Sequence, residues 1–198
     1  MKSKKILLVG GGGHCLSCID VIEQDGRFDI VGIIDEGKGA DEILGYPIFG
    51  GDAELQRLRK DYSYALITIG QIRSPVSRMQ VHEKLLSLDY KLPIIISPRA
   101  YVSKHAVIRS GTIVMPGALI NAGASVGINC IVNCKSLIEH EAIVGDHCHI
   151  STGAVINGGV VVGSGTFVGS NATVKEMAKI GENQFIRAGK LYTGGNDE

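Results

Sequence analysis

Two rhythms of apolar residues divide the chain near residue 92. Before it, short apolar runs alternate with stretches of helical spacing. Residues 5–9 read as a buried strand and 10–13 as a glycine loop. Residues 14–24 read as a helix with Leu16, Ile19 and Ile22 on one face. Residues 30–34 form a second strand that ends at Asp35-Glu36. A helix capped by Asp52 runs to residue 60, and residues 64–69 form a third strand. Ser74-Pro75 opens a helix to about Ser87, and residues 92–96 form the last strand. This alternation predicts a small parallel, Rossmann-like α/β domain over residues 1–92.

The second rhythm has a period of six. From Val102, every sixth residue is Val or Ile through Ile186, fifteen in succession without an insertion. The residue two places earlier is mostly small, as at Ala106, Ala118, Cys130 and Cys148. Neither a helical period of 3.6 nor a strand period of 2 yields a strict six. A parallel β-helix does: each hexad is one short strand and a corner, three hexads make one coil, and fifteen make five coils. Gly127, Gly145, Gly163 and Gly181 recur once per coil, three hexads apart. They predict one stacked corner where glycine supplies backbone angles that other residues resist. The expected organisation is an α/β domain over 1–92, a left-handed β-helix over 93–190 and a flexible tail over 191–198.

Composition narrows the setting. Of 198 residues, 44% are hydrophobic and 20% charged, and the formal net charge is zero, so nothing suggests steering by nucleic acid or membrane. The apolar run before the N-terminal glycines is too short for a signal sequence or a span. A cytoplasmic protein is expected, with its five cysteines as free thiols.

Residues outside the period are the candidates for chemistry. The glycine loop before the first helix suits an anion, because bare N–H groups and the helix dipole both favour negative charge. The dinucleotide fingerprint fits at Gly10 and Gly12, but its last glycine is replaced by Cys15. Mononucleotide binding is therefore the stronger reading, with Asp35 and Glu36 placed to hold a ribose. In the coils, His140 sits between Glu139 and Glu141, and His149 follows His147-Cys148. A histidine beside a carboxylate suits a general base. Metal binding by residues 147–149 and a redox pair at Cys15 and Cys18 are the weaker alternatives; no second ligand pair and no thioredoxin-like context accompany them. His140 and His149 are half a coil apart, about 15 Å, too far to share a site within one chain. They can meet across a subunit interface, most simply in a three-fold ring.

Taken together, the Gly10–His14 loop, Asp35-Glu36, Ile69-Gly70, the hexads and the 138–141 segment Ile-Glu-His-Glu resemble the NeuD/PglD-like family. Its members are bacterial sialic acid O-acetyltransferases and UDP-amino-sugar N-acetyltransferases. The resemblance implies a homotrimer that uses acetyl-CoA as co-substrate, needs no metal, and acetylates a nucleotide-linked 4-amino sugar for a surface glycan or protein glycosylation. It implies His140 as general base and Glu141 as its supporting carboxylate. Gly12, Gly13, His14, Asp35, Glu36, Gly70 and Asn133 would contact the sugar nucleotide. His149, Gly158, Ser170 and Ala188 would contact acetyl-CoA. The family often ends in a Pro-Ala-Lys/Arg-like segment that holds CoA, whereas this chain ends Lys190-Leu-Tyr-Thr-Gly-Gly-Asn-Asp-Glu198. That departure keeps open a non-catalytic, nucleotide-sugar-binding trimer beside the N- and O-acetylating readings.

Overall fold

A computed structural model describes residues 4–37 and 41–194. The chain forms two compact units. The first takes the chain to Gly70 together with Val76–Ile95, and the second takes Gln71–Pro75 and everything from Ile96 onward.

In the first unit, β1 (Lys4–Val9) lies between β2 (Phe28–Ile34) and β5 (Tyr64–Ile67) in a parallel sheet. Ile6, Leu7, Leu8 and Val9 are all buried, as a central parallel strand covered on both faces requires. Helix α1 (Gly13–Asp25) ends at Gly26, whose left-handed backbone returns its N–H to the Ile22 carbonyl at 3.0 Å. Beyond β2, a small antiparallel hairpin joins β3 (Glu42–Ile43) to β4 (Tyr46–Pro47), an element with too few residues to show periodicity. The helix expected over 52–60 is a 3-10 turn (Asp52–Glu54) running into α2 (Leu55–Leu58), and Gly51, not Asp52, is its N-cap. Helix α3 (Val76–Ser87) carries Arg78 into the core, where Nη1 donates to the carbonyl of Ile69 at 2.6 Å.

The second unit is a parallel β-solenoid of about five turns. Seventeen two-residue strands, from Ile95–Ile96 to Leu191–Tyr192, build three parallel sheets of six, five and six strands. Two ends of the solenoid differ from expectation. Ile95–Ile96 pairs as a rung of the coils and not with the α/β sheet. Leu191–Tyr192, expected within a flexible tail, pairs in register with Thr173–Val174. The physical reason is that the hexad step continues past Ile186, so the next strand still finds a ladder partner. Residues 195–198 of that expected tail lie outside the described residues.

The second residue of each strand points inward. Val114, Ile120, Val132, Ile138, Ile150, Ile156 and Val168 are fully buried, with the small Ala118, Ala142 and Ala154 between them. Rungs are tied by amides reaching the coil below, as when Ile131 N–H donates to the Cys148 carbonyl at 2.9 Å and Asn133 N–H to that of Ile150.

The glycines spaced one coil apart act for a different reason from the one expected. Gly127, Gly145, Gly163 and Gly181 do not have positive φ; the left-handed corner residues lie two places later, as at Asn129, His147 and Asn183. The constraint is crowding. A Cβ on Gly163 would sit 2.6 Å from Glu182 N, and one on Gly145 would sit 2.7 Å from Ser164 N. Only Gly181 has room, its nearest neighbour being 3.9 Å away. Replacing Gly163 with Ala is therefore expected to cost about 1–3 kcal/mol, as overpacking does. Gly181→Ala should stay within about 0.5 kcal/mol of the parent. Denaturant midpoints at matched protein concentration measure both.

Candidate active site

Because three hexads close one coil, equivalent residues of successive coils stack in columns along the solenoid. His140 belongs to the column Ala122, His140, Gly158, Glu176, at the corner that follows Leu137–Ile138. It opens on a cleft of about 450 Å³ lined by Glu139, His140, Glu141, Asn157, Gly158, Gly159, Glu176 and Met177.

Each neighbour of His140 has a distinct place. Glu141 Oε2 lies 3.6 Å from His140 Nδ1, and both side chains are largely exposed. Glu141 occupies the left-handed corner position (φ 59°), where the coils above and below use Gly123 and Gly159. The backbone thus accepts an unfavourable angle to present that carboxylate. Glu139, the other carboxylate beside His140 in sequence, faces elsewhere. Its Oε2 accepts from Asn121 Nδ2 at 2.8 Å and from the His140 backbone N–H at 3.2 Å. Of the two, Glu141 is the one by the ring. Below the ring lies Gly158: a Cβ there would be 2.7 Å from His140 Cε1 and 2.8 Å from Nε2. The imidazole rests on bare backbone, with Nδ1 toward Glu141 and Nε2 over Gly158.

Asn133 and His149 belong to another face. His149 lies on the outer side of its strand, only 7% exposed because Gln71–Pro75 covers it. Its Nδ1 bonds the Gln71 carbonyl at 2.5 Å, and its Nε2 meets Asn133 Nδ2 at 3.1 Å. A carbonyl only accepts, so Nδ1 carries the proton and Nε2 accepts from the Asn133 amide: a neutral imidazole with both nitrogens engaged. Its ring packs edge-on against Phe167, which stacks on Phe185. Gln71 fastens the covering segment by donating Nε2 to the carbonyls of His147 and Gly165. Within one chain the structure brings Asn133 to His149 and leaves His140 on a separate corner.

Ser170 and Ala188 stack in one column, below Thr152. None of these three backbone N–H groups has an acceptor among the described residues. The hydroxyls of Ser170 and Ser151 pair at 3.0 Å.

In the first unit, Gly12 is the N-cap of α1 and makes no side-chain cap bond; a Cβ on Gly12 or Gly13 would meet nothing within 4 Å. The amide-rich end of the helix is therefore open, as an anion site requires. Asp35 shapes that loop directly: Oδ2 accepts the Gly11 N–H at 2.6 Å and Oδ1 accepts the Gly37 N–H at 2.9 Å. Each oxygen keeps a lone pair. Gly70 lies beside His14, its built Cβ 3.6 Å from that of His14, and Glu36 packs against Gly51.

The weaker chemistries find little support. Cys15 and Cys18 are free and buried, and burial raises both thiol pKa values, opposite to what a redox pair needs. Residues 147–149 diverge. His147 Nδ1 meets Asn129, Cys148 lies inside the coil donating to the Gly163 carbonyl, and His149 lies under Gln71. Among the described residues no cluster of three or more potential ligands occurs. No described helix is long and apolar enough to cross a membrane.

Sequence reading missed Asn157, Glu176, Met177 and Gln71. The first three were accessible by arithmetic: stepping one or two coils on from residues 139–141 reaches them. Gln71 carried no signal, because it enters from outside the repeat.

A family profile described as the PglD N-terminal domain matches residues 5–85, and one described as bacterial transferase hexapeptide (six repeats) matches residues 141–176. No curated protein matches the chain. Among solved structures, PerB from Caulobacter crescentus in complex with CoA and GDP-perosamine is 29% identical, with a TM-score of 0.90 over 96% of this chain and 89% of that one. The acetyltransferase domain of PglB from Neisseria gonorrhoeae is 25% identical, with a TM-score of 0.90 over 97% and 92%. The same domain in complex with acetyl coenzyme A gives 26% and 0.88 over 96% and 93%. Both the matched N-terminal domain and the matched hexapeptide repeats agree with the resemblance of this chain to the NeuD/PglD-like family. The chain's fold is the left-handed β-helix of hexapeptide-repeat proteins behind an N-terminal α/β unit.

The placement of the cysteines leads to a direct test. Cys134, the one partly exposed thiol, should react first with an aromatic disulfide reagent at pH 8. Cys15 and Cys18 should react only on unfolding. Fast modification of two or more further thiols in the native protein would contradict the burial described.

Proposed function

We propose that the protein is an acetyl-CoA-dependent N-acetyltransferase acting on a nucleotide-linked 4-amino sugar, as a homotrimer, in the synthesis of a bacterial glycan. The observation that carries this reading is the His140 cleft. It holds a histidine beside a carboxylate and two further carboxylates, Glu139 and Glu176, and no Lys or Arg lines it. Such a site attracts an amine, which arrives as an ammonium, and repels the carboxylate of sialic acid. The likeness of the whole chain to a PerB structure holding CoA and GDP-perosamine supports the same reading.

In the proposed reaction the bound sugar ammonium first gives up one proton to solvent, and the neutral amine then attacks the thioester carbonyl carbon. Its proton passes to His140 Nε2, the nitrogen that faces away from Glu141. Glu141 orients the ring and stabilises the imidazolium. The carbonyl oxygen becomes an oxyanion, and the N–H of Gly158, which has no acceptor among the described residues, is the donor beside it. The tetrahedral intermediate then expels CoA as a thiolate, which takes the proton from His140 and leaves the amide. No acyl-enzyme is needed. Gly12, Gly13 and His14 at the head of α1, with Asp35, Glu36 and Gly70, would hold the nucleotide. The open amides of Ser170 and Ala188 would receive the carbonyls of the pantetheine arm. In a three-fold ring, Asn133 and His149 of a neighbouring copy would complete the site.

The test is CoA thiol release with UDP- and GDP-linked 4-amino sugars and with sialic acid. Release with an amino sugar alone is expected, and the productive nucleotide names the acceptor class. Release with sialic acid alone would assign O-acetylation instead. Absence of both release and acetyl-CoA binding would assign a non-catalytic trimer. His140→Ala should lower kcat by about 10²–10⁴-fold. Its mass by light scattering should remain that of the parent; unchanged turnover would remove His140 from the mechanism.

A further inference from the structure

The corners of the solenoid share a capping habit. Where the first corner residue is Asn or Glu, its side-chain oxygen commonly takes the N–H of the next residue, whereas Ser97 and Ser103 take that of the residue two places on. Asn121 Oδ1 accepts from Ala122 at 2.8 Å, Asn133 Oδ1 from Cys134 at 2.8 Å, and Glu139 Oε2 from His140 at 3.2 Å. Asn157 stands one coil below Glu139, at the same corner, and departs from the habit. Its Nδ2 donates to the Val174 carbonyl at 2.8 Å, and the N–H of Gly158 is left uncapped. Uncapped amides also occur at Ser170 and Ala188, but there the preceding residues, Gly169 and Arg187, have no acceptor to offer. Thr152 is uncapped too, its preceding Ser151 pairing instead with Ser170, but among the Asn and Glu residues at this corner position Asn157 alone turns from the next N–H, that of Gly158, on which the His140 ring rests.

We propose that Asn157 is a positioning residue: by bonding the Val174 carbonyl it keeps its own oxygen off the Gly158 N–H, and so leaves that amide open in the His140 cleft to receive a developing oxyanion. The use of the amide rests on the acyl-transfer reading given above; its openness does not. An amide already bonded to a neighbouring oxygen cannot be preorganised for charge that appears only in the transition state. An Asp at this position cannot donate to the Val174 carbonyl and has an oxygen at the reach Asn121 and Asn133 use for capping. Asn157→Asp should therefore close the donor, whereas Asn157→Ala should lose the Val174 bond yet leave the donor open.

The experiment has two readouts on the full chain. In ¹⁵N-glycine-labelled protein, the Gly158 amide should show the steep temperature coefficient and fast exchange of an unbonded N–H in the parent and in Asn157→Ala, and protection in Asn157→Asp. In turnover, Asn157→Asp should lose about 10²-fold or more in kcat, with KM for the acceptor within about threefold, as loss of one oxyanion donor does. Asn157→Ala should lose clearly less in kcat than Asn157→Asp, with a lower midpoint of unfolding. A carboxylate acting only as a charge would move the acidic limb of the pH–rate profile upward and spare the plateau; that pattern would overturn the proposal. So would a protected Gly158 amide in the parent, or equal losses in both variants. Should Asn157→Asp not fold, Asn157→Glu replaces it, since Glu139 shows that a glutamate reaches the next N–H from this corner. A parent with no transfer activity would overturn the acyl-transfer reading, and the amide measurements would still decide whether Asn157 sets the donor.

Discussion

Everything in the second unit depends on one constraint: each strand is hydrogen-bonded to the strand at its own position in the next coil. The ladder permits no drift. Ile131 lies over His149, His149 over Phe167 and Phe167 over Phe185, each pair in parallel register. A single extra residue would rotate every later side chain to the wrong face and break the inward column of Val and Ile. The same rigidity makes the site. His140 needs no packing partner of its own to be placed, because the coils above and below fix its Cα, and Gly158 removes the one atom that would obstruct its ring.

Two of the corners that depart from the economical solution lie at the site. Most left-handed corner positions are held by Gly or Asn, which adopt that angle at little cost. In the column next to that of His140 the sequence instead places Glu141 and Met177 at that angle, both lining the cleft, and elsewhere it places Lys135 and His147 there.

How much was legible in the sequence follows from what leaves a periodic trace. The inward Val and Ile, the small residues two before them and the coil count were readable because a solenoid repeats its packing. The strands and long helices of the first unit were readable from apolar runs and caps. The role of the spaced glycines was misassigned, because sequence shows that glycine recurs but not whether an angle or a crowded neighbour demands it. The β3–β4 hairpin and the short α2 were missed or overextended, because so few residues cannot show a period. At the site, His140 and Glu141 stood out by residue type. Asn157 did not, since its part depends on which of two backbone groups its amide chooses. Gln71 was invisible, because a segment that joins the solenoid from outside the repeat carries no local sign of it.

The column geometry also sets a ruler. One coil adds about 4.8 Å along the solenoid axis. Every corner column therefore has a length counted in whole coils, and the open amides of Thr152, Ser170 and Ala188 are the graduations of one of them. Duplicating one whole coil after Ile186 would leave His140, Glu141 and Gly158 untouched while lengthening that column by one graduation. A fold of this kind can lengthen an amide-lined column in discrete steps while the corners before it stay as they are.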